Sequence, residues 1–199
     1  MGPIEGLWFT LMGVFILLGV IRGFLKELGL TTVMIVYLFA LDQIIPRLED
    51  LIKTPDSFLG RIGLSEATKD TPLWLVFTLI TVLVVYVAYE GETLAFAGSP
   101  PRGIQGLLLS LLVGAINGYL VCGTLWWFLH RYNYPLRAIG LFVPFNEAAG
   151  QMLSPLGNQI VNGLRLLPPD LLGQGAETAT SLGVLPLLVI TMILLRVVR

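Results

Sequence analysis

The sequence predicts an all-α integral membrane protein: four transmembrane helices plus a fifth C-terminal one, with short amphipathic interfacial helices between helices four and five. Three observations predict it. Of 199 residues, 55% are hydrophobic and only 13% charged, against roughly 25% charged in an ordinary soluble domain. The mean hydropathy is +0.83. The apolar residues also gather into separate runs, most of them near the roughly 20 residues that a membrane-spanning helix needs. Residues 1–199 read as a single membrane domain.

The first run, residues 4–21, would extend roughly 27 Å as a helix rising about 1.5 Å per residue. Met1 to Trp8 holds no Lys or Arg and the run closes on Arg22-Gly23, unlike the basic start and small-residue cleavage site of a secretory signal. It is expected to be a retained helix. The second run, residues 28–45, follows the short connection RGFLKE and stops at Pro46, since proline disrupts a helix interior. Helices one and two are thus expected to form a tight antiparallel hairpin with RGFLKE at its tip.

Residues 46–72 carry Arg47, Glu49, Asp50, Lys53, Asp56, Arg61, Glu66, Lys69 and Asp70 and read as a polar loop. The third run, residues 73–89, is β-branched but too long and too uniformly apolar for a soluble strand. EGETLAFAGSPPRG then turns the chain through Gly98, Pro100 and Pro101. The fourth run, residues 104–129, leads into WWFLHRYNY, an aromatic and basic cluster suited to a membrane interface. With these crossings Trp8, Trp74, Trp126 and Trp127 all fall at one membrane face. Across residues 137–167, apolar residues recur at three- and four-residue spacing between polar ones, an amphipathic interfacial segment. Residues 182–198 form the fifth run, with Pro186 near its start.

The formal net charge of −1 excludes the basic footprint of a nucleic-acid binder. The lipid bilayer is the expected partner, with other membrane subunits or a second copy of the chain as further ones. Cys122 is the only cysteine and His130 the only histidine, and the sequence lacks HExxH, GxSxG and phosphate-loop motifs. The expectation is therefore no enzyme, no metal and no cofactor. Asp42 and Glu90 do not make a carboxylate pair, because they fall at opposite membrane faces.

Two glycine pairs with helix-packing spacing stand out: Gly19 with Gly23, and Gly114 with Gly118. Small residues four apart let helix backbones approach closely in lipid. Their settings, GVIRGFL and GAINGYL, share Gly, Ile, Gly and Leu. On helices of opposite direction this is the pattern of an inverted repeat, an arrangement used by transporters. Arg22, Lys26, Glu27 and Glu90 read as interfacial charges at the helix ends, with Arg22 expected to pair with Glu90 or Glu92.

The hairpin LLGVIRGFLKELGL and the glycine-rich RGIQGLLLSLLVGAINGYL together resemble the bacterial colicin V production protein (CvpA) family. Its G-x-x-R-G-[apolar]-x-x-E pattern is matched by Gly19, Arg22, Gly23, Phe24 and Glu27, and its glycine-rich helix by Gly103, Gly106, Gly114 and Gly118. The likeness covers about residues 4–130. Asn117 stands where the family often has Arg, and Glu5 where it often has Asp. The resemblance implies a multi-pass protein of the bacterial inner membrane linked to toxin production and envelope homeostasis, without catalytic chemistry. The alternatives are an accessory subunit of a larger membrane complex and a transporter or channel protomer built on the inverted repeat.

Overall fold

The computed structural model describes residues 4–53, 66–90, 103–132, 134–136 and 167–169. Among them are α1 (Ile4–Arg22), α2 (Phe24–Lys53), α3 (Glu66–Glu90) and α4 (Gly103–Arg131), and no strand. Three segments are long and apolar enough to cross a membrane: Phe24–Asp50, Asp70–Glu90 and Gly103–Arg131. The apolar part of α1, Gly6–Arg22, is shorter. The chain is thus a membrane protein whose described elements are all helices, three of them of spanning length. The expected fifth helix, residues 182–198, lies outside them, as does the amphipathic segment 137–167 apart from Leu167.

RGFLKE is not a loop. Only Gly23 separates α1 from α2, with φ at +82°, a left-handed conformation that glycine adopts without penalty. Its N–H donates to the Gly19 carbonyl at 3.0 Å, the single-bond form of a left-handed helix cap. The Glu27 N–H in turn donates to the Gly23 carbonyl at 3.2 Å, so α2 starts at once. Nor is the hairpin tight along its length: α1 and α2 make few contacts with each other, and α4 packs against both.

α2 continues through Pro46 to Lys53. Ile45 is buried just before the proline, and Glu49 just after it is held by Arg131 and Tyr132. These tertiary contacts outweigh the one backbone hydrogen bond that proline removes. α3 begins at Glu66 rather than residue 73. The polar loop therefore shrinks, with residues 46–53 and 66–72 helical.

The core is a stripe on α2, Leu30, Met34, Leu38, Leu41 and Ile45, closed by Leu73 and Phe77 of α3 and by Leu120, Val121, Trp127 and Phe128 of α4. Phe77 stacks between Phe128, at 5.5 Å between ring centroids, and Tyr132, at 6.1 Å. Tyr37 and Thr81 join α2 to α3 through a 2.6 Å hydrogen bond. Leu167 and Pro168 are buried, with Pro168 against Gly123 of α4.

Candidate functional site

Glu27 lies in the first turn of α2 and is fully buried, at 0% exposure. A carboxylate removed from water must find compensating charge and hydrogen bonds, and three helices supply them. From the end of α1, Arg22 Nη1 bonds Glu27 Oε1 at 3.1 Å. From the middle of α4, Asn117 Nδ2 donates to Glu27 Oε2 at 2.7 Å and also lies 2.9 Å from the Glu27 backbone carbonyl. Thr31, one turn along α2, donates to Asn117 Oδ1 at 2.7 Å and fixes which way the amide faces. From α3, the Tyr89 carbonyl accepts from Arg22 Nη2 at 2.9 Å, and the Tyr89 ring lies 4.1 Å from the guanidinium. The single-glycine turn makes this possible, since it brings the last side chain of α1 against the first turn of α2.

Gly19 and Gly114 hold α1 and α4 close enough to complete the cluster. A Cβ on Gly19 would stand 2.6 Å from the Ser110 carbonyl oxygen and 2.8 Å from the Gly114 Cα; one on Gly114 would stand 2.9 Å from the Phe15 oxygen and 3.1 Å from the Gly19 Cα. Gly118 faces Phe15 and Met12. The crossing has a two-fold character. Gly19 and Gly114 hold equivalent places in GVIRGFL and GAINGYL, as do Phe15 and Ser110 one turn earlier. Arg22 and Asn117 are equivalent too, and they donate to the two oxygens of one carboxylate.

Several sequence expectations need correction. Glu27 is not an interfacial anchor but the buried centre. Arg22 pairs with Glu27 and the Tyr89 carbonyl rather than with Glu90, which is exposed, as is Lys26; Glu92 lies outside the described residues. Gly23 is not a packing glycine, because nothing lies within 4 Å of the place a Cβ would take; its role is the left-handed turn. Asn117, Thr31 and Tyr89 were not singled out as site residues, although an Asn inside the fourth apolar run is itself a signal. A polar side chain at membrane depth needs a partner.

A second polar cluster ties the other end of α2 to α4. Arg131 Nε and Nη2 bond Glu49 Oε1 and Oε2 at 2.9 and 3.0 Å, and the guanidinium lies 4.9 Å from the Trp127 ring. The Tyr132 hydroxyl donates to Glu49 Oε1 at 2.9 Å; burial first, and then Glu49, raises its pKa, so it stays a donor. Asp42 takes a bond from Gln43, and His130 is exposed beside Tyr134. Among the described residues no group of three or more His, Cys, Asp or Glu is placed to hold a metal.

Chemically, the Glu27 cluster is paired internally: each carboxylate oxygen holds a donor, and the guanidinium is shared between carboxylate, carbonyl and ring. No family model matches the chain, nor does any curated protein or solved structure.

Proposed function

We propose that the chain is a non-catalytic, CvpA-like multi-pass protein of the bacterial inner membrane, linked as that resemblance implies to toxin production and envelope homeostasis, in which the Glu27 cluster locks the bundle. The observation that supports a lock over a reaction site is the pairing of both Glu27 oxygens by helices other than the rest of α2. Breaking a buried ion pair from one side costs about 3–5 kcal/mol, whereas replacing both partners with apolar side chains is often neutral. Arg22→Leu and Glu27→Leu are therefore expected to lower the thermal aggregation midpoint in detergent strongly, and the double variant to recover most of the loss. Two single variants that assemble normally but abolish the cellular role, with no rescue in the double, would overturn the lock.

The transporter reading is favoured by one observation, the convergence of the equivalent residues Arg22 and Asn117 on a single carboxylate at the crossing of α1 and α4. It requires solute flux in proteoliposomes that Asn117→Leu removes without loss of assembly.

A further inference from the structure

A small cavity of about 70 Å³ lies between α2 and α4 at the tryptophan end of the bundle, walled by Leu38, Asp42, Pro46, Trp127, Arg131 and Pro169 among others. Its polar walls have bonding capacity left over. Asp42 is half-buried; its Oδ2 accepts from Gln43 at 3.1 Å, and its Oδ1 holds no donor among the described residues. Pro46 has no N–H to return to the Asp42 carbonyl four residues earlier, so that acceptor lacks its helical donor. Arg131 gives Nε and Nη2 to Glu49, which leaves Nη1 as a donor without a partner among the described residues.

Charge and depth say what belongs there. Arg131 neutralises Glu49 through their two-pronged pair, whereas Asp42 is in no ion pair among the described residues, so the cavity keeps a net negative charge. The other charged side chains nearby on α2, Arg47 and Asp50, are exposed and wall none of it. A carboxylate taken partly out of water needs opposite charge or hydrogen-bond donors. The partner missing here is a small cation that brings N–H groups. Tryptophans mark the headgroup level of a membrane; Trp127 walls the cavity, and Arg131 follows one turn later on α4. A carboxylate and a guanidinium on the walls of one small cavity at that level suit a headgroup that carries both an ammonium and a phosphate.

We propose that this cavity binds the headgroup of one phosphatidylethanolamine-type phospholipid, its primary ammonium on the Asp42 carboxylate and carbonyl and its phosphate on Arg131 Nη1. A primary ammonium is compact and has three N–H donors for those oxygens. A trimethylammonium is bulkier and has none, and a glycerol headgroup brings no positive charge. The site lies toward the other end of α2 from the Glu27 lock and is independent of the CvpA-like reading.

The test uses the full chain, delipidated in mild detergent, with native mass spectrometry following separate titrations of dioleoyl phosphatidylethanolamine, phosphatidylcholine and phosphatidylglycerol. One phosphatidylethanolamine is expected to bind about tenfold more tightly than either competitor, the size of one hydrogen bond to a charged group. Asp42→Asn, of nearly the same shape, should remove that preference. Asp50→Asn, the same charge change on an exposed residue of α2, should keep it. The preference is a ratio within one variant, so a smaller folded fraction does not imitate its loss. Arg131→Lys keeps a charge for Glu49 but loses the third nitrogen, and should weaken all three lipids alike, since each carries the phosphate; unchanged binding would overturn the Arg131 contact. Equal or tighter binding of either competitor by the wild type overturns the proposal, as does a preference that survives Asp42→Asn or falls equally in Asp50→Asn. Displacement of the bound lipid by an equal concentration of glycerophosphoethanolamine, the same headgroup without chains, would overturn the assignment to a lipid.

Discussion

Asn117 shows how much one side chain can organise. Its amide donates to Glu27 and accepts from Thr31, so a single residue of α4 joins two turns of α2. Asn117→Leu would leave Glu27 Oε2 without its donor in the interior, while the Thr31 hydroxyl keeps the Glu27 carbonyl at 3.1 Å as acceptor. Each buried group left unpaired costs about 1–3 kcal/mol, more where it is charged. Thr31→Val removes the hydroxyl and its bonds to both acceptors, Asn117 Oδ1 and the Glu27 carbonyl, but leaves Asn117 paired with the Glu27 carboxylate. The thermal aggregation midpoint is expected to fall clearly more for Asn117→Leu than for Thr31→Val. Equal losses would mean that Asn117 does not anchor Glu27. Spacing alone does not reveal this role, because Glu27 lies beside Arg22 and Lys26 in a run of sequence that equally fits a wet helix end. What separates the two situations is the left-handed Gly23, which turns Glu27 inward and leaves Lys26 outside.

At the level of helices, the sequence shows the apolar centres well but not where α2 begins and ends or where α3 begins. Hydropathy locates the middles of α2, α3 and α4 because lipid demands unbroken apolar surface there. It misplaces the end of α2 and the start of α3 because charged residues such as Glu49 and Lys69 are compatible with helix once the chain leaves the membrane, and because Pro46 is overridden by packing on both sides of it. The glycines divide by geometry in the same way. Gly114→Ala puts a Cβ 2.9 Å from the Phe15 carbonyl oxygen, whereas Gly13 has nothing within 4 Å. Gly13→Ala should be neutral or stabilising, by up to about 1 kcal/mol from helix propensity, while Gly114→Ala should destabilise by separating α1 from α4. Gly23→Ala forces a side chain into the left-handed region at a cost of about 1–2 kcal/mol without touching any neighbour. Urea or thermal unfolding of the three variants orders them; a tolerated Gly114→Ala would show that α1 and α4 have room to shift.

Across the whole molecule, the helices do not end at one level. Along α4, Ile104 and Trp126 are about 33 Å apart at about 1.5 Å per residue, close to a hydrocarbon core of about 30 Å. Trp8 touches Trp126 and so sets α1 against the same layer, yet Arg22 lies only about 21 Å further along α1, and Tyr89 about 22 Å from Trp74 along α3. α1, α3 and the start of α2 thus stop about 10 Å short of the level that α4 reaches. The extra turns of α4 are apolar outward, with Ile104 74% exposed and Leu107, Leu108 and Leu112 also exposed, a surface suited to lipid. On this spacing the Glu27 cluster is expected within hydrocarbon depth, where every polar atom must be answered by protein, with the exposed Lys26 and Glu90 free to snorkel toward the head groups. This depth is measurable in a Cys122→Ala background with a nitroxide attached at Leu108→Cys or at His130→Cys. The Leu108 label is expected to collide with oxygen and scarcely with a water-soluble nickel chelate, and the His130 label, beyond the tryptophan layer, to show the reverse. If the chelate reaches both labels equally, the first turns of α4 stand in water and Glu27 lies at the interface.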